Sequence, residues 1–153
     1  MEGGIALVVD RQVIGRASVF RSLGALAFSY PVREAIRMRS ALVREYAEDE
    51  PGARTIVFEG PSQGEGFQIF VVPYDKSEIT RERFLTDDPS GVMNEPGETV
   101  VDGTPAKTFF GYNDHMGNTR EVWFIHGGFL YEVTTYKPLS AWLPEILQTW
   151  KFI

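Results

Sequence analysis

The chain has no cysteine and only two histidines in 153 residues. Without cysteine there is no disulfide, no thiolate nucleophile, no Cys-ligated zinc and no iron–sulfur cluster. Two histidines also rule out a His-rich metal centre, so neither cofactor nor metal is expected. Basic residues are in deficit, with 15 Lys and Arg against 21 Asp and Glu, for a net charge of −6. That balance argues against general nucleic-acid binding, which needs a basic surface. Long apolar runs are missing as well. No stretch approaches the ~20 apolar residues of a transmembrane helix. The one apolar run near the start, 5–9, is too short for a signal-peptide core and follows acidic Glu2. The chain reads as soluble, cytoplasmic as it stands, or extracytoplasmic and lipid-anchored if a leader once preceded Met1.

What is present suffices for one core. Hydrophobic residues make up 43% and aromatics 13%, too apolar for disorder. A domain of this size buries roughly 70% of the surface its unfolded chain exposes. A single domain over 1–153 is expected, with 1–23 as a peripheral N-terminal extension.

Period-two and β-branched patterns predict strands over 5–9, 12–20, 25–30, 55–59, 67–72 and 99–101. Ala35, Met38, Leu42 and Tyr46 share one helical face, which predicts a helix over 32–48 with Arg33, Arg37 and Arg44 opposite. A short helix is predicted over 79–87, ended by Pro89, and 90–97 reads as irregular. The most ordered pattern is a meander of three antiparallel strands, 106–112, 119–126 and 129–136. Gly127-Gly128 forms the two-residue turn and sets Phe124 opposite Tyr131, Trp123 opposite Glu132 and Val122 opposite Val133. Val122, Phe124, Phe129, Tyr131 and Val133 then form a core face. An amphipathic helix follows over 139–150, with Ser140 as its N-cap or with the regular part starting only at Pro144.

On the opposite face Glu121 lies diagonal to Glu132, at roughly 5.5–8 Å, with Trp123 between them. Two carboxyls so placed can split their proton affinities, share a cation or pair with a base. Together with Tyr136 they form the candidate binding surface. Asp114 and His115 on the 113–118 turn are secondary candidates, although Asn, Asp and Gly there are what a tight turn needs. His126 beside the diglycine reads as a strand-end residue. Gly60–Gly66 has no Gly-Lys-Ser/Thr ending and leads into a strand, so it is not a phosphate loop. Asp87-Asp88-Pro89-Ser90-Gly91 lacks the oxygen spacing of a calcium loop and reads as a helix stop. No catalytic triad, Gly-x-Ser-x-Gly or His-Glu-x-x-His pattern is present, so no catalytic residue is assigned.

Phe28-Ser29-Tyr30-Pro31, Asp102-Gly103-Thr104-Pro105-Ala106, the pair Glu121-Val122-Trp123-Phe124 and Leu130-Tyr131-Glu132-Val133, and Ile146-Leu147-Gln148-Thr149-Trp150-Lys151-Phe152 together resemble a PsbP-like domain. That superfamily includes the extrinsic photosystem II subunit and bacterial lipoproteins. The resemblance implies an α+β fold, an α/β/α sandwich around a mostly antiparallel sheet, acting as a non-enzymatic accessory. Val32-Arg33-Glu34 departs from the tryptophan that commonly follows Tyr-Pro in the family. Two functions are expected in order: a binding or assembly domain contacting a protein or envelope component, and a small-molecule-binding or hydrolytic pocket of the steroid-isomerase-like kind.

Overall fold

The computed structural model describes residues 6–10, 17–22, 26–31, 42–60 and 63–152, with side chains described from residue 44 onward. Strands β1 (Ala6–Asp10), β2 (Ala17–Ser22), β3 (Leu26–Pro31) and β11 (Trp150–Phe152) form a four-stranded sheet in the order β1-β2-β3-β11. A seven-stranded sheet runs β4-β5-β6-β10-β9-β8-β7. Its members are β4 (Leu42–Ala47), β5 (Arg54–Glu59), β6 (Gly66–Pro73), β7 (Asn94–Val101), β8 (Thr104–Asn113), β9 (Gly117–His126) and β10 (Phe129–Tyr136). Every described pairing is antiparallel. Helices are few and short: α1 (Arg81–Asp87) and α2 (Leu143–Gln148). The fold is α+β and rich in antiparallel sheet. Among the described residues no helix is long and apolar enough to cross a membrane.

The meander forms in the expected register. Gly127 at φ 59° and Gly128 at φ 84° supply the two left-handed residues that a tight hairpin needs. Phe124 then pairs with Tyr131 and Trp123 with Glu132. Alternation sends Val122, Phe124, Tyr131 and Val133 into one apolar cluster with Trp142, Leu143, Ile146, Leu147 and Trp150. Glu121, Trp123, Glu132 and Thr134 necessarily leave the other face.

The C-terminal helix is shorter than its apolar spacing predicts. A 3₁₀ turn over Lys137–Leu139 precedes it, and α2 spans only Leu143–Gln148, with Pro144 in its first turn. Ser140 is not its N-cap, since its hydroxyl donates back to the Lys137 carbonyl. Trp150 leaves the helix altogether and pairs with Phe28 as the first residue of β11. Its indole is still buried at 1% exposure. The i+3/i+4 spacing therefore reports burial on one side without requiring an unbroken helix.

Two further expectations are corrected. The helix expected over 32–48 lies outside the described residues for 32–41, and the remainder is strand β4, paired with β5 from Leu42 opposite Glu59 to Ala47 opposite Arg54. Pairing with an available sheet edge overrides helical periodicity there. The segment 90–97, expected to be irregular, enters β7 at Asn94 and extends the meander by a strand. Its irregular appearance is real in one respect: the register shifts between Asn94 and Gly97, and Glu95 sits at φ 50°. A bulge, Pro96 and the exposed Glu98 are devices that protect an edge strand from further pairing.

Helix α1 packs on the second face. Phe84 sets its ring 5.7 Å from Phe109 and 5.6 Å from Trp123. Thr80 caps the helix by accepting from the Arg83 amide at 3.1 Å. The Tyr74 hydroxyl accepts from the Thr80 amide at 3.2 Å and donates to the Glu78 carbonyl at 2.8 Å. Thr80→Ala is expected to cost about 1 kcal/mol. A urea titration should show it as a lower midpoint with an unchanged slope; an unchanged midpoint would remove the cap from the account.

Candidate functional site

Cross-strand rows bring the polar groups of the second face together. Thr55, Phe70, Glu132 and Trp123 form one row, and Val57, Gln68, Thr134, Glu121 and Phe109 form the next. Above them lie the end of α1 and the tip of the β8–β9 hairpin. Between floor and rim is a cavity of about 580 Å³. Gln68, Phe70, Glu121, Trp123, Glu132 and Thr134 line its floor, and Asp87, Asp88, Ser90, Tyr112 and Asp114 its walls and mouth.

Glu121 and Glu132 are each only 5% exposed. Burying a carboxylate is costly unless donors compensate it, and here the two differ. Oε1 of Glu121 accepts from Trp123 Nε1 at 3.0 Å and from the Thr134 hydroxyl at 2.6 Å. Burial raises its proton affinity, and the Asp88 charge adds to this, while the Thr134 and Trp123 hydrogen bonds work the other way. Glu132 is less well served. Its Oε2 is buried without a donor, and its carboxyl faces that of Asp87. Burial pushes Glu132 well above the ordinary carboxyl range, the Asp87 and Glu121 charges push the same way, and only Arg83 opposes them.

Helix α1 fixes the acidic wall. Arg83 holds Asp87 in a fork, Nε and Nη2 each donating at 2.7 Å, and its Nη1 donates to both oxygens of Glu50 at 2.9 Å. All four of its hydrogen bonds go to Asp87 and Glu50, and its charge is the weakest of the influences on Glu132. Asp88, 7% exposed, accepts from the Ser90 hydroxyl at 2.6 Å. It sits over Gly111: a Cβ there would lie 3.1 Å from Asp88 Oδ2 and 3.2 Å from Thr119 Oγ1. The missing side chain at 111 lets the second acidic residue approach the sheet.

The structure regroups the residues chosen from sequence. Glu121, Trp123 and Glu132 meet at the cavity. The Trp123 indole is not a free stacking surface, because Phe84 and Phe109 cover it. Tyr136 lies apart, half-buried beside a second depression that it shares with His115 and Met116. Asp114 reaches the mouth of the first cavity. His115 serves its turn: Asn113 Oδ1 accepts from the His115 and Met116 amides at 3.0 and 2.7 Å. His126 stacks on Phe152 at 3.6 Å between ring centres and places Nδ1 3.2 Å from the Thr104 hydroxyl.

Sequence reasoning sets Asp87 and Asp88 aside as a helix stop and does not single out Arg83 or Thr134. One signal was present. Two acidic residues at a helix C-terminus oppose the helix dipole, a cost that for Asp87 is offset by the Arg83 fork. Among the described residues no three His, Cys, Asp or Glu side chains are placed to hold one metal ion. No protein-family model and no curated protein matches this chain, which leaves the geometry of the cavity to speak for function.

Proposed function

We propose that this protein is a small-molecule-binding domain whose ligand occupies the cavity between the second sheet face and α1. The observation that carries this reading is a 580 Å³ concavity floored by two nearly buried carboxyl groups. The volume falls in the range of ligand pockets, and convergent polar groups on rigid strands are what orient a ligand there. Glu121, Glu132 and Thr134 supply polar contacts, and Phe70 and Tyr112 supply apolar area. Docking of a protein or envelope partner through Glu121, Trp123, Glu132 and Tyr136 is less favoured, because the first three are buried. Kinship with PsbP-like domains remains compatible with a ligand pocket. The α/β/α layering implied by it draws support from α1 and α2 covering opposite faces.

The Trp123 indole N–H, bonded to Glu121, is a built-in reporter. A library of anionic, neutral and cationic small molecules, screened by ¹H–¹⁵N NMR, is expected to contain binders that shift this resonance while the Val100 amide on β7 stays still. Binders that leave Trp123 unmoved would place the ligand elsewhere.

A further inference from the structure

The cavity is short of positive charge in a way its own side chains do not repair. Five of its described lining residues carry carboxyl groups, namely Asp87, Asp88, Asp114, Glu121 and Glu132, and none is Lys, Arg or His. The charged and indole donors nearby are already committed, and the lining otherwise offers neutral donors such as the Gln68 amide and the Tyr112 hydroxyl. Arg83 is shared between Asp87 and Glu50, and Trp123 and Thr134 both serve Glu121. Glu132 Oε2, in a residue 5% exposed, is left with no donor and with the Asp87 carboxyl as its neighbour. Two largely buried carboxyl groups face each other at low cost only with a proton or a cation between them.

The shape of the cavity selects between kinds of cation. A bare metal ion needs three or more converging ligands, and no such set is placed for it among the described residues. The cavity is far larger than an ion and carries Phe70 and the half-exposed Tyr112 along with its acids. Aromatic faces beside carboxylates suit an alkylammonium or guanidinium group, which gains from both.

Resting on the ligand-pocket reading above, we infer that the ligand is an organic cation of the amine or guanidine class, whose charged head seats between the carboxyl groups of Glu132 and Asp87. Where the pH lies below the raised range of Glu132, the empty site holds a proton on Glu132 facing Asp87. On binding, the cationic N–H groups donate to both carboxylates; the Glu132 O–H bond breaks and its proton passes to water or buffer, and the ligand keeps its own protons. The charged groups facing Glu132 are Asp87 and Arg83 from α1 and Glu121 from β9. Arg83 stays with Asp87 in both states, because its contacts leave the far side of that carboxyl available. Burial favours the proton over an empty, doubly ionised site, and this makes the exchange visible. Affinity should therefore rise with pH, by up to about tenfold per unit while Glu132 is protonated in the free protein, and level off above that range.

The test is calorimetric titration of the full chain with benzylamine and agmatine at pH 7, using benzyl alcohol and benzoate as neutral and anionic controls. Repeating it in two buffers of different ionisation enthalpy counts the protons. The expected result is binding of the cations only, with release of up to about one proton per ligand. Glu132→Gln should bind at least about tenfold more weakly and release none, since the amide already supplies Asp87 with a donor. Asp87→Asn, which removes the other half of the pair, should behave alike and covers a failure of the first variant to fold. Cation binding without proton release, or unaffected by both substitutions, would overturn the inference while leaving the pocket. Binding of the neutral or anionic probe alone, with a shifted Trp123 resonance, would overturn the ligand class and leave the pocket as well. If no small molecule from the wider library moves Trp123, the pocket reading fails and this inference fails with it.

Discussion

Glu132→Gln is expected to stabilise the protein at pH 8 and to leave its stability near pH ~4 almost unchanged. The folded chain holds a proton on Glu132 more tightly than the unfolded chain does, first because the group is buried and then because Asp87 and Glu121 are acidic neighbours. A raised folded-state affinity contributes stability that is complete below the ordinary carboxyl range. That contribution is lost as the pH climbs through the elevated folded value. Glutamine imitates the protonated acid at every pH: it is neutral, similar in volume, and its amide offers Asp87 an N–H. The gain at pH 8 should be about 1–3 kcal/mol, the cost of an uncompensated buried polar group. In a domain of this size that is a rise of roughly 5 °C in melting temperature. Thermal unfolding of both proteins from pH 4 to 8 checks it. Parallel curves, with one offset at all pH values, would mean that the substitution acts through packing instead. Glu121 is also raised by burial and its charge interacts with that of Glu132, so removing the Glu132 charge eases its ionisation too and adds to the gain at high pH.

Phe124→Ala should be the most damaging single change to the fold, costing about 3–5 kcal/mol. Phe124 is 1% exposed. Its ring stacks on Tyr131 at 5.1 Å and meets Trp150 edge-on at 5.2 Å and Phe152 at 6.0 Å. It thus joins the meander to β11, and truncation leaves a cavity where the two sheets meet. Val100→Ala on β7 is the matched control, because Val100 is 64% exposed and should change stability by less than about 0.5 kcal/mol. Urea unfolding of the two variants should separate them clearly; comparable losses would mean that the aromatic cluster does not carry the core.

These outcomes depend unequally on information visible along the chain. The hairpin register was legible because Gly127-Gly128 and the alternation on either side are both local. Once the turn is in place, Trp123 must stand opposite Glu132, and Glu121 and Glu132 must share a face. The acidity of the chain was legible too, though not its concentration around one cavity. The helix expected over 32–48 illustrates the opposite case. Its apolar spacing fits a helix, while 42–47 in fact completes a sheet edge, because pairing with β5 satisfies the backbone whatever the local preference. At 139–150 the apolar spacing marked the buried side chains correctly, yet Trp150 reaches the core from a strand.

At the candidate site the division is sharper. Sequence pattern determines that Glu121, Trp123 and Glu132 project from one face of a sheet, since side chains alternate strictly along a strand. Whether that face is open to water depends on a helix more than thirty residues away in the chain. Phe84 of α1 packs against Phe109 and Trp123, and this docking buries the two carboxyls, carries Asp87 and Asp88 over them and commits Arg83 elsewhere. No local pattern encodes such an approach, because it rests on contacts between segments distant in sequence. The absence of cysteine and the scarcity of histidine narrowed the chemistry of this chain to carboxyl groups. Only the tertiary structure deprived one of those carboxyls of a donor, and burial away from water is the physical reason that this matters.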